Sequence, residues 1–269
     1  MTAPPRKLAL ITGASSGLGE QFARAYAARG FDLAVTARRL DRLELLAVEL
    51  ASAHGVQAFA IGADLAEMGA ERLVLAAVAA RGRVVDVLVN NAGFSIPQSF
   101  AAVPWARQRD FLMTLVVAPC GLAHGVIPGM VRRGGGAIIN VASLAGFAPG
   151  VAGHTLYPGA KGLMIRFSQA LDAEYRDKGV RVTALCPGFT LTEFAAANGT
   201  QAVMDSSPRL FFQTAETVVA AALRANDCGR VVVAPGLHNQ LAALLLNYLP
   251  GPLVRGALRA GSARYHLRE

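Results

Sequence analysis

The alternation of short, unbroken apolar runs with longer amphipathic segments constrains the fold of this chain more than any other feature. Runs rich in Val, Ile, Leu and Ala are typical of buried strands, and segments with apolar residues three and four apart are typical of helices. The predicted strands are Lys7–Thr12, Phe31–Ala37, Val56–Gly62, Asp86–Gly93, Gly136–Ser143, Val180–Gly188 and Val231–Gly236. The predicted helices are Gly17–Gly30, Leu40–His54, Glu67–Arg83 and one from Tyr157 to Lys178. This order predicts an α/β fold that is doubly wound, with a mostly parallel sheet of about seven strands.

Length and composition indicate one domain over residues 1–269. The chain is 53% hydrophobic, and no repeat, linker or low-complexity tract divides it. Its start lacks the pattern of a signal peptide, and no stretch approaches the roughly 18 uninterrupted apolar residues of a membrane span. The cysteines are odd in number and widely spaced, which predicts reduced thiols packed as small hydrophobic residues. We therefore expect a cytoplasmic protein.

The net charge of +8 raises the question of nucleic-acid binding. The arginines are scattered through amphipathic helices and form no run with interleaved aromatic residues. We therefore expect no nucleic-acid partner, and no metal site is expected either. A positive field does suit an anionic cofactor.

A glycine-rich turn follows the first predicted strand, in TGASSGLGE, with glycines at 13, 17 and 19. Such a turn is tight, lets the backbone approach a pyrophosphate and opens a helix whose N-terminal N–H groups attract anions. The alternative is an ordinary glycine-rich connection between a strand and a helix. Its position at the first strand–helix junction favours the phosphate-binding interpretation.

An ionisable pair lies in the segment TLYPGAKG, residues 155–162. Tyr157 and Lys161 are four residues apart, so a helix would place both on one face, about 5–6 Å apart. One interpretation is an acid–base pair. The alternative is a plain helix start with Thr155 as N-cap and Pro158 in the first turn, where backbone N–H groups lack partners.

These segments, taken together, resemble the short-chain dehydrogenase/reductase family. The resemblance rests on TGASSGLG, NNAG at 90–93, Ser143, the Tyr157/Lys161 pair and PGFTLT at 187–192, in the family's order over residues 7–235. It implies a Rossmann-type domain and an enzyme that interconverts a secondary alcohol and a carbonyl. The substrate is expected to be an apolar small molecule.

By resemblance, Tyr157 is the acid/base, Ser143 orients the substrate oxygen and Lys161 also holds the nicotinamide ribose. A free tyrosine has a pKa near 10, too high for efficient acid–base work near neutral pH. A lysine ammonium one helical turn away, together with the cofactor's nicotinium charge, is expected to lower that pKa by stabilising the tyrosinate.

The end of the second predicted strand bears on the choice of cofactor. It reads TARRLDRL, with Ala37 at the position where an acidic residue would hold the ribose diol of NAD, followed by Arg38 and Arg39. A guanidinium suits a 2′-phosphate, which predicts NADP. By resemblance Arg38 is the leading residue, and Ser15 is within reach of that phosphate. The alternative is that both arginines face solvent.

The resemblance also assigns the remaining cofactor-binding residues. They are Gly13, Ser16, Gly17, Leu18, Gly19, Asp64, Leu65, Asn91, Ala92, Gly93, Pro187, Gly188, Thr190 and Thr192, together with Tyr157 and Lys161. Asp64 has an alternative role as a local cap, and Asn91 as a residue that stabilises the central sheet.

One family residue is missing. The family commonly has an asparagine on the helix after the fourth strand, which holds a water for proton relay, and Leu115 stands at that position. No asparagine occurs between Ala92 and Ile139, so Thr114 or a backbone carbonyl would have to hold the water. This gap motivates an alternative function, a catalytically impaired NADP(H)-binding regulatory or scaffold protein.

The last two segments concern the substrate. Residues 189–213 are mixed polar and aromatic, where the family places a mobile lid. Phe94, Phe189, Phe194, Phe211 and Phe212 suggest an apolar pocket, with plain core packing as the alternative. The amphipathic tail 237–269 would cover the substrate, pack in an oligomer interface or lie on a membrane surface. We favour packing over membrane contact and expect a homodimer or homotetramer.

Overall fold

A computed structural model describes residues 6–150, 152–194, 198, 208–249, 254 and 256. The parts of the predicted lid and tail that fall at 195–197, 199–207, 250–253, 255 and 257–269 lie outside the described residues.

Parallel strands form the centre of the fold. The strands are β1 Leu8–Thr12, β2 Asp32–Ala37, β3 Ala58–Gly62, β4 Val87–Asn90, β5 Gly136–Val141, β6 Val180–Leu185, β7 Thr190–Leu191, β8 Gln213–Thr214 and β9 Val232–Val233. Seven of them form one parallel sheet in the order β3-β2-β1-β4-β5-β6-β9, and β7 pairs with β8 separately. The strand order reverses between β1 and β4, and ligands bind at the carboxyl ends of strands beside such a switch point.

Helices cover both faces of the sheet. They are α1 Gly17–Ala28, α2 Leu40–His54, α3 Ala70–Ala79, α4 Trp105–Leu112, α5 Ala118–Arg132, α6 Tyr157–Tyr175, α7 Ala215–Asp227 and α8 Leu237–Tyr248. One core cluster joins α1, α2 and α7 to the sheet, with Phe22, Leu43 and Val219 among its buried residues. A second cluster joins α3, α5 and α6 to the opposite face. The predicted doubly wound Rossmann-type α/β fold is confirmed.

Several predicted boundaries are wrong by a few residues. The helix predicted over Glu67–Arg83 is only α3, because Gly69 and Gly82 have positive φ angles of 82° and 66° and interrupt the helical backbone on either side. Helix α6 is preceded by Leu156 as N-cap, not Thr155, and no side chain caps it. Pro158 does lie in its first turn.

A π-helical segment, Met113–Val117, joins α4 to α5 and was not predicted. Pro119 follows it and cannot donate the backbone hydrogen bond that an α-helix would make to the carbonyl of Leu115. Within the described residues, the continuous stretch Trp105–Arg132 is long and apolar enough to cross a membrane by length and composition alone. Half of its apolar window is buried, and it contributes Leu122 and Met130 to the core, as a core helix does.

The cysteines are all free thiols, as predicted. Cys186 is buried and Cys120 is half-buried, but Cys228 is exposed at the end of α7. The prediction that each packs as a small hydrophobic residue is therefore wrong for Cys228.

Candidate active site

Tyr157 and Lys161 share one face of α6, as their spacing predicts. The Nζ atom of Lys161 lies 5.7 Å from the centroid of the Tyr157 ring. It also donates a 2.7 Å hydrogen bond to the carbonyl oxygen of Val141, the last residue of β5. The first turn of α6 is thereby held against the carboxyl end of β5.

Ser143 lies just beyond the same strand. Its Oγ accepts a 3.1 Å hydrogen bond from the backbone N–H of Ala145 and so caps the short 3₁₀ turn Leu144–Phe147. The hydroxyl also lies close enough to the Tyr157 side chain to lower the tyrosine pKa, against the larger effect of burial. The structure therefore brings together the three residues predicted to be catalytic.

Burial is the largest influence on the pKa values of Tyr157 and Lys161. It raises the pKa of Tyr157 above its ordinary value of 10, and the Ser143 hydroxyl offsets this only in part. It lowers the pKa of Lys161 to about 8, and the nearby Cys186 acts in the opposite direction. The predicted lowering of the tyrosine pKa combines the Lys161 ammonium with the cofactor's nicotinium charge, and it stays a prediction. Among the protein's own groups, burial sets the direction of the shift.

The position of the missing asparagine is filled by an apolar side chain. Leu115 is 2% exposed and packs with Phe111 and Ala160 in a small cluster that Tyr157 also contacts. A Cβ atom on Gly93 would lie 3.4 Å from the Leu115 Cγ and 3.8 Å from the Lys161 Nζ, so Leu115 reaches the region of the lysine. The hydroxyl of Thr114 donates a 2.9 Å hydrogen bond to the carbonyl of Asp110 within its own helix.

The glycine turn after β1 is packed so closely that side chains are excluded. Gly13 has a φ angle of 67°, and a Cβ there would lie 2.8 Å from the Ala92 Cα. A Cβ on Gly19 would overlap the carbonyl oxygen of Gly13. Gly17, with a φ angle of 60°, faces Thr192, whose Cβ would lie 3.3 Å from a Cβ at position 17. The turn thus forms a shallow backbone cradle at the N-terminus of α1, which fits a pyrophosphate.

Two of the predicted cofactor-binding residues, Asn91 and Asp64, make the structural hydrogen bonds that the sequence offered as their alternative roles. The Asn91 side-chain amide donates to the carbonyl oxygens of Thr12, at 2.9 Å, and Gly13, at 3.2 Å, which joins β4 to the end of β1. Asp64 accepts a 3.0 Å bond from the N–H of Ala66 and so stabilises the turn after β3. The Asn91 contacts fix the end of β1, where the cradle begins.

The segment after β6 completes the site. The carbonyl of Pro187 accepts a 3.1 Å bond from the N–H of Leu144, and the Thr190 hydroxyl donates to the carbonyl of Gly188 at 3.2 Å. The Thr192 hydroxyl accepts a 3.3 Å bond from the N–H of Phe194. These bonds hold residues 187–194 beside the Ser143 turn and above Gly17.

Of the two arginines after β2, Arg39 is the one that contacts the glycine turn. Its guanidinium donates to the Ser15 Oγ at 3.0 Å and to the Ser16 Oγ at 2.8 Å. The Arg38 side chain is exposed and makes no hydrogen bond or ion pair within the described part of the chain. The sequence alone did not distinguish the two, because the contact depends on the path of the chain between β2 and α2.

The sequence profile described as short chain dehydrogenase matches residues 7–202. The chain belongs to this family. A serine 3-dehydrogenase from Rhizobium radiobacter is 37% identical over 187 residues, which are 69% of this chain and 72% of the relative.

Solved structures of the family agree with this assignment. A short-chain dehydrogenase from Sphingobium yanoikuyae in complex with NADPH has a TM-score of 0.80 and 32% identity, covering 98% of this chain and 97% of that one. A bulky-bulky ketone specific alcohol dehydrogenase from Comamonas testosteroni has a TM-score of 0.75 and 27% identity, covering 100% and 96%.

In this short-chain dehydrogenase, the predicted pocket phenylalanines divide into two groups. Phe94 packs edge-on against Phe111, with ring centroids 5.5 Å apart, and both lie in the cluster beside Tyr157. Phe189 stacks on Phe212 at 5.5 Å. Three of the five are substantially exposed: Phe189 and Phe194 at 40% each and Phe211 at 43%. All three exposed phenylalanines lie in the described part of the predicted lid.

His154 lies on the loop before α6. It is half-buried, and its ring centroid is 6.2 Å from that of Tyr157. Burial lowers the pKa of His154 below its ordinary value of 6.5, which favours the neutral imidazole.

The described part of the C-terminal tail packs one face of α8 on the domain. Asn239 is 4% exposed, and its amide donates to the carbonyl of Pro235 at 2.7 Å and to the Gln213 Oε1 at 2.9 Å. The opposite face leaves Leu237, Leu241, Leu244, Leu245 and Tyr248 exposed. Asn239 therefore joins the tail to β8, and its Oδ1 would overlap a Cβ on Gly188, so α8 also packs against the loop after β6.

Proposed function

We propose that this chain is an NADP(H)-dependent oxidoreductase that interconverts a secondary alcohol and a carbonyl on an apolar small molecule. One observation carries the proposal. The Tyr157 phenol, the Lys161 ammonium and the Ser143 hydroxyl meet where β5 ends and α6 begins. The NADPH complex of the Sphingobium relative and the ketone specificity of the Comamonas relative support the cofactor and the reaction.

The residues present fit a dinucleotide with a 2′-phosphate. The backbone cradle formed by Gly13, Gly17 and Gly19 would hold the pyrophosphate at the N-terminus of α1. Arg38, Arg39 and Ser15 would hold the 2′-phosphate. Leu18, Asp64, Leu65, Ala92, Gly93, Gly188, Thr190 and Thr192 would line the adenine, ribose and nicotinamide portions. When bound, this group supplies the hydride to the carbonyl carbon or accepts it from the alcohol.

Tyr157 acts as the proton donor during reduction. Because burial raises its pKa, the phenol stays protonated across the neutral range and gives its proton to the substrate oxygen as negative charge develops there. Ser143 donates a hydrogen bond to the same oxygen and orients it. In the oxidative direction Tyr157 must ionise, so a nearby positive charge is needed.

Lys161 supplies that charge. Its pKa of about 8 leaves the ammonium form predominant at neutral pH, and the bond to Val141 fixes its position. The proton that Tyr157 gives up must be replaced from solvent. Leu115 offers no polar side chain for this, but Pro119 leaves the Leu115 carbonyl without its α-helical donor, which makes that carbonyl the candidate acceptor for a relay water.

The apolar surroundings of Tyr157 support a hydrophobic substrate. Phe94, Phe111 and Leu115 lie beside the tyrosine, and exposed phenylalanines lie in the described part of the lid. Transfer of a bulky apolar group from water to such surfaces is favourable by about 25 cal/mol per Å² buried. A hydrophobic ketone or the corresponding alcohol fits this environment better than a polar one.

The test is the consumption of NADPH by the purified protein with a panel of hydrophobic ketones. The proposal predicts consumption with at least some members of the panel. The impaired-scaffold alternative, motivated by Leu115, predicts NADPH binding with no consumption across the panel. Cytoplasmic location and assembly as a homodimer or homotetramer stay predictions from the sequence.

A further inference from the structure

A carboxylate from the start of the lid lies between two arginines of the proposed 2′-phosphate site. The Glu193 Oε2 is 3.1 Å from the Arg42 Nη1 and 3.6 Å from the Arg39 Nη1. The same Arg39 guanidinium donates to the hydroxyls of Ser15 and Ser16. One guanidinium therefore faces the phosphate turn on one side and a lid carboxylate on the other.

The neighbours of Glu193 explain why this carboxylate lies over the cofactor site. The preceding residue, Thr192, faces Gly17 of the phosphate turn. The chain therefore crosses above the turn at Thr192, and the next side chain reaches the N-terminal part of α2. Arg42 lies on α2, one turn beyond Arg39, so the two guanidinium groups approach the carboxylate from the same helix end.

We propose that Glu193 is a specificity-determining residue that competes with the 2′-phosphate of NADP(H) for Arg39. This rests on the proposed function, since it assumes that the dinucleotide binds in the cradle. A 2′-phosphate carries more negative charge than a carboxylate and accepts a guanidinium bidentately, so it displaces Glu193 from Arg39. Arg42, the closer partner, keeps the displaced carboxylate nearby.

The competition has a defined effect on cofactor choice. NADH has no 2′-phosphate and leaves the Glu193–Arg39 pair undisturbed, whereas NADPH must break it. Glu193 thus reduces the preference of the site for NADPH and links the release of residue 193 from Arg39 to the binding of that cofactor. The side chains of Arg39 and Glu193 are 44% and 59% exposed, so the pair is weak and screened by salt.

The experiment is calorimetric titration of NADPH and NADH into the full chain, at low and high salt, without substrate. Glu193→Gln removes the charge and keeps the shape. We expect its affinity for NADPH to rise by about two- to fivefold at low salt, with NADH unchanged and the gain lost at high salt. Glu44→Gln is the matched control. Glu44 is an exposed carboxylate on α2, the helix that carries Arg42, and it forms no ion pair within the described residues. This control should leave the ratio of the two affinities unchanged.

A double variant tests whether the effect of Glu193 on NADPH affinity depends on Arg39. In a protein that already carries Arg39→Gln, the further change Glu193→Gln should give no gain in NADPH affinity. The inference is overturned if Glu193→Gln weakens NADPH binding, improves both cofactors equally or has the same effect with and without Arg39. If the unmodified protein binds neither dinucleotide, the proposed function itself fails. If it binds NADPH but the variants give one of the results above, only the role of Glu193 fails.

Discussion

The Lys161 ammonium donates a 2.7 Å hydrogen bond to the carbonyl oxygen of Val141, so the helix that carries Tyr157 is tied to the strand that precedes Ser143. Lys161 is only 6% exposed, and burial lowers its pKa to about 8. The buried position that lets Lys161 join α6 to β5 therefore also desolvates its ammonium group, which lowers the stability of the folded protein.

This cost predicts a pH-dependent effect of Lys161→Met. Between the folded pKa of about 8 and the ordinary value of 10.5, the unfolded chain binds more protons than the folded one, so the stability of the unmodified protein rises with pH in that window. Below about pH 8 the full cost is present. The free energy of unfolding of Lys161→Met, relative to that of the unmodified protein, should therefore fall by on the order of 3 kcal/mol as pH rises through the window.

Denaturant unfolding at several pH values measures this difference. Lys178→Met, at an exposed lysine, serves as the control for the Lys-to-Met change itself. A Lys161→Met difference that stays constant from neutral to alkaline pH would show that Lys161 is not held in a desolvated, charged state.

The close packing of the glycine turn predicts contrasting effects of two Gly-to-Ala changes. In Gly19→Ala the new methyl group would overlap the Gly13 carbonyl, which should lower the free energy of unfolding by about 1–3 kcal/mol and weaken dinucleotide binding. A Cβ on Gly159, in the first turns of α6, has no atom within 4 Å. Gly159→Ala should be neutral or stabilising by up to about 1 kcal/mol. Thermal unfolding checks both, and equal effects would contradict the packing.

If the two arginines after β2 bind the 2′-phosphate, replacing either one should weaken the binding of NADPH. Arg38→Asp and Arg39→Ala should each weaken NADPH by about tenfold or more, as for loss of a charge-assisted hydrogen bond, while sparing NADH. Equilibrium titration measures both affinities, and Arg72→Ala, at an exposed arginine on α3, is the control. If Arg38→Asp leaves NADPH affinity unchanged, Arg38 is a solvated surface charge and Arg39 carries the preference.

Leu115 occupies the position of the family's asparagine, and we expect that Leu115→Asn does not greatly increase turnover. If the Leu115 backbone carbonyl holds the relay water, the new amide should change turnover by less than about tenfold, below the contribution of a positioned proton-transfer group. It should also destabilise the protein by about 1–3 kcal/mol, because a polar group replaces a buried apolar one. Leu115→Met, of similar volume, is the control. A large acceleration by Leu115→Asn would show that the missing amide limits the enzyme.

Pro119→Ala tests the same carbonyl from the other side. Alanine restores a backbone N–H that an α-helix would direct at the Leu115 carbonyl, so turnover should fall while NADPH affinity is retained. Unchanged turnover in a folded variant would exclude this carbonyl from proton transfer.

The parts of the molecule that depend on local pattern could be predicted from the sequence. The parallel strands follow from short apolar runs, and the juxtaposition of Tyr157 and Lys161 follows from helical spacing. The family and its fold follow from motifs in a fixed order. The roles of individual site residues stay predictions.

The rest depends on packing between distant segments. The contact of Arg39 with Ser15 and Ser16 joins residues more than twenty positions apart, and the pairing of Glu193 with Arg42 joins the lid to α2. No single segment carries a signal for such contacts. The low pKa of Lys161 was missed for the same reason, because burial is a property of the assembled site.

The most direct test of the catalytic assignment compares NADPH consumption by the unmodified protein and by Tyr157→Phe, with one ketone that the protein reduces. The change removes only the hydroxyl, so folding and NADPH affinity should persist, while turnover should fall by about a hundredfold or more, as for loss of a positioned proton donor. A folded Tyr157→Phe protein that binds NADPH and reduces the ketone as fast as the unmodified protein would contradict the assignment.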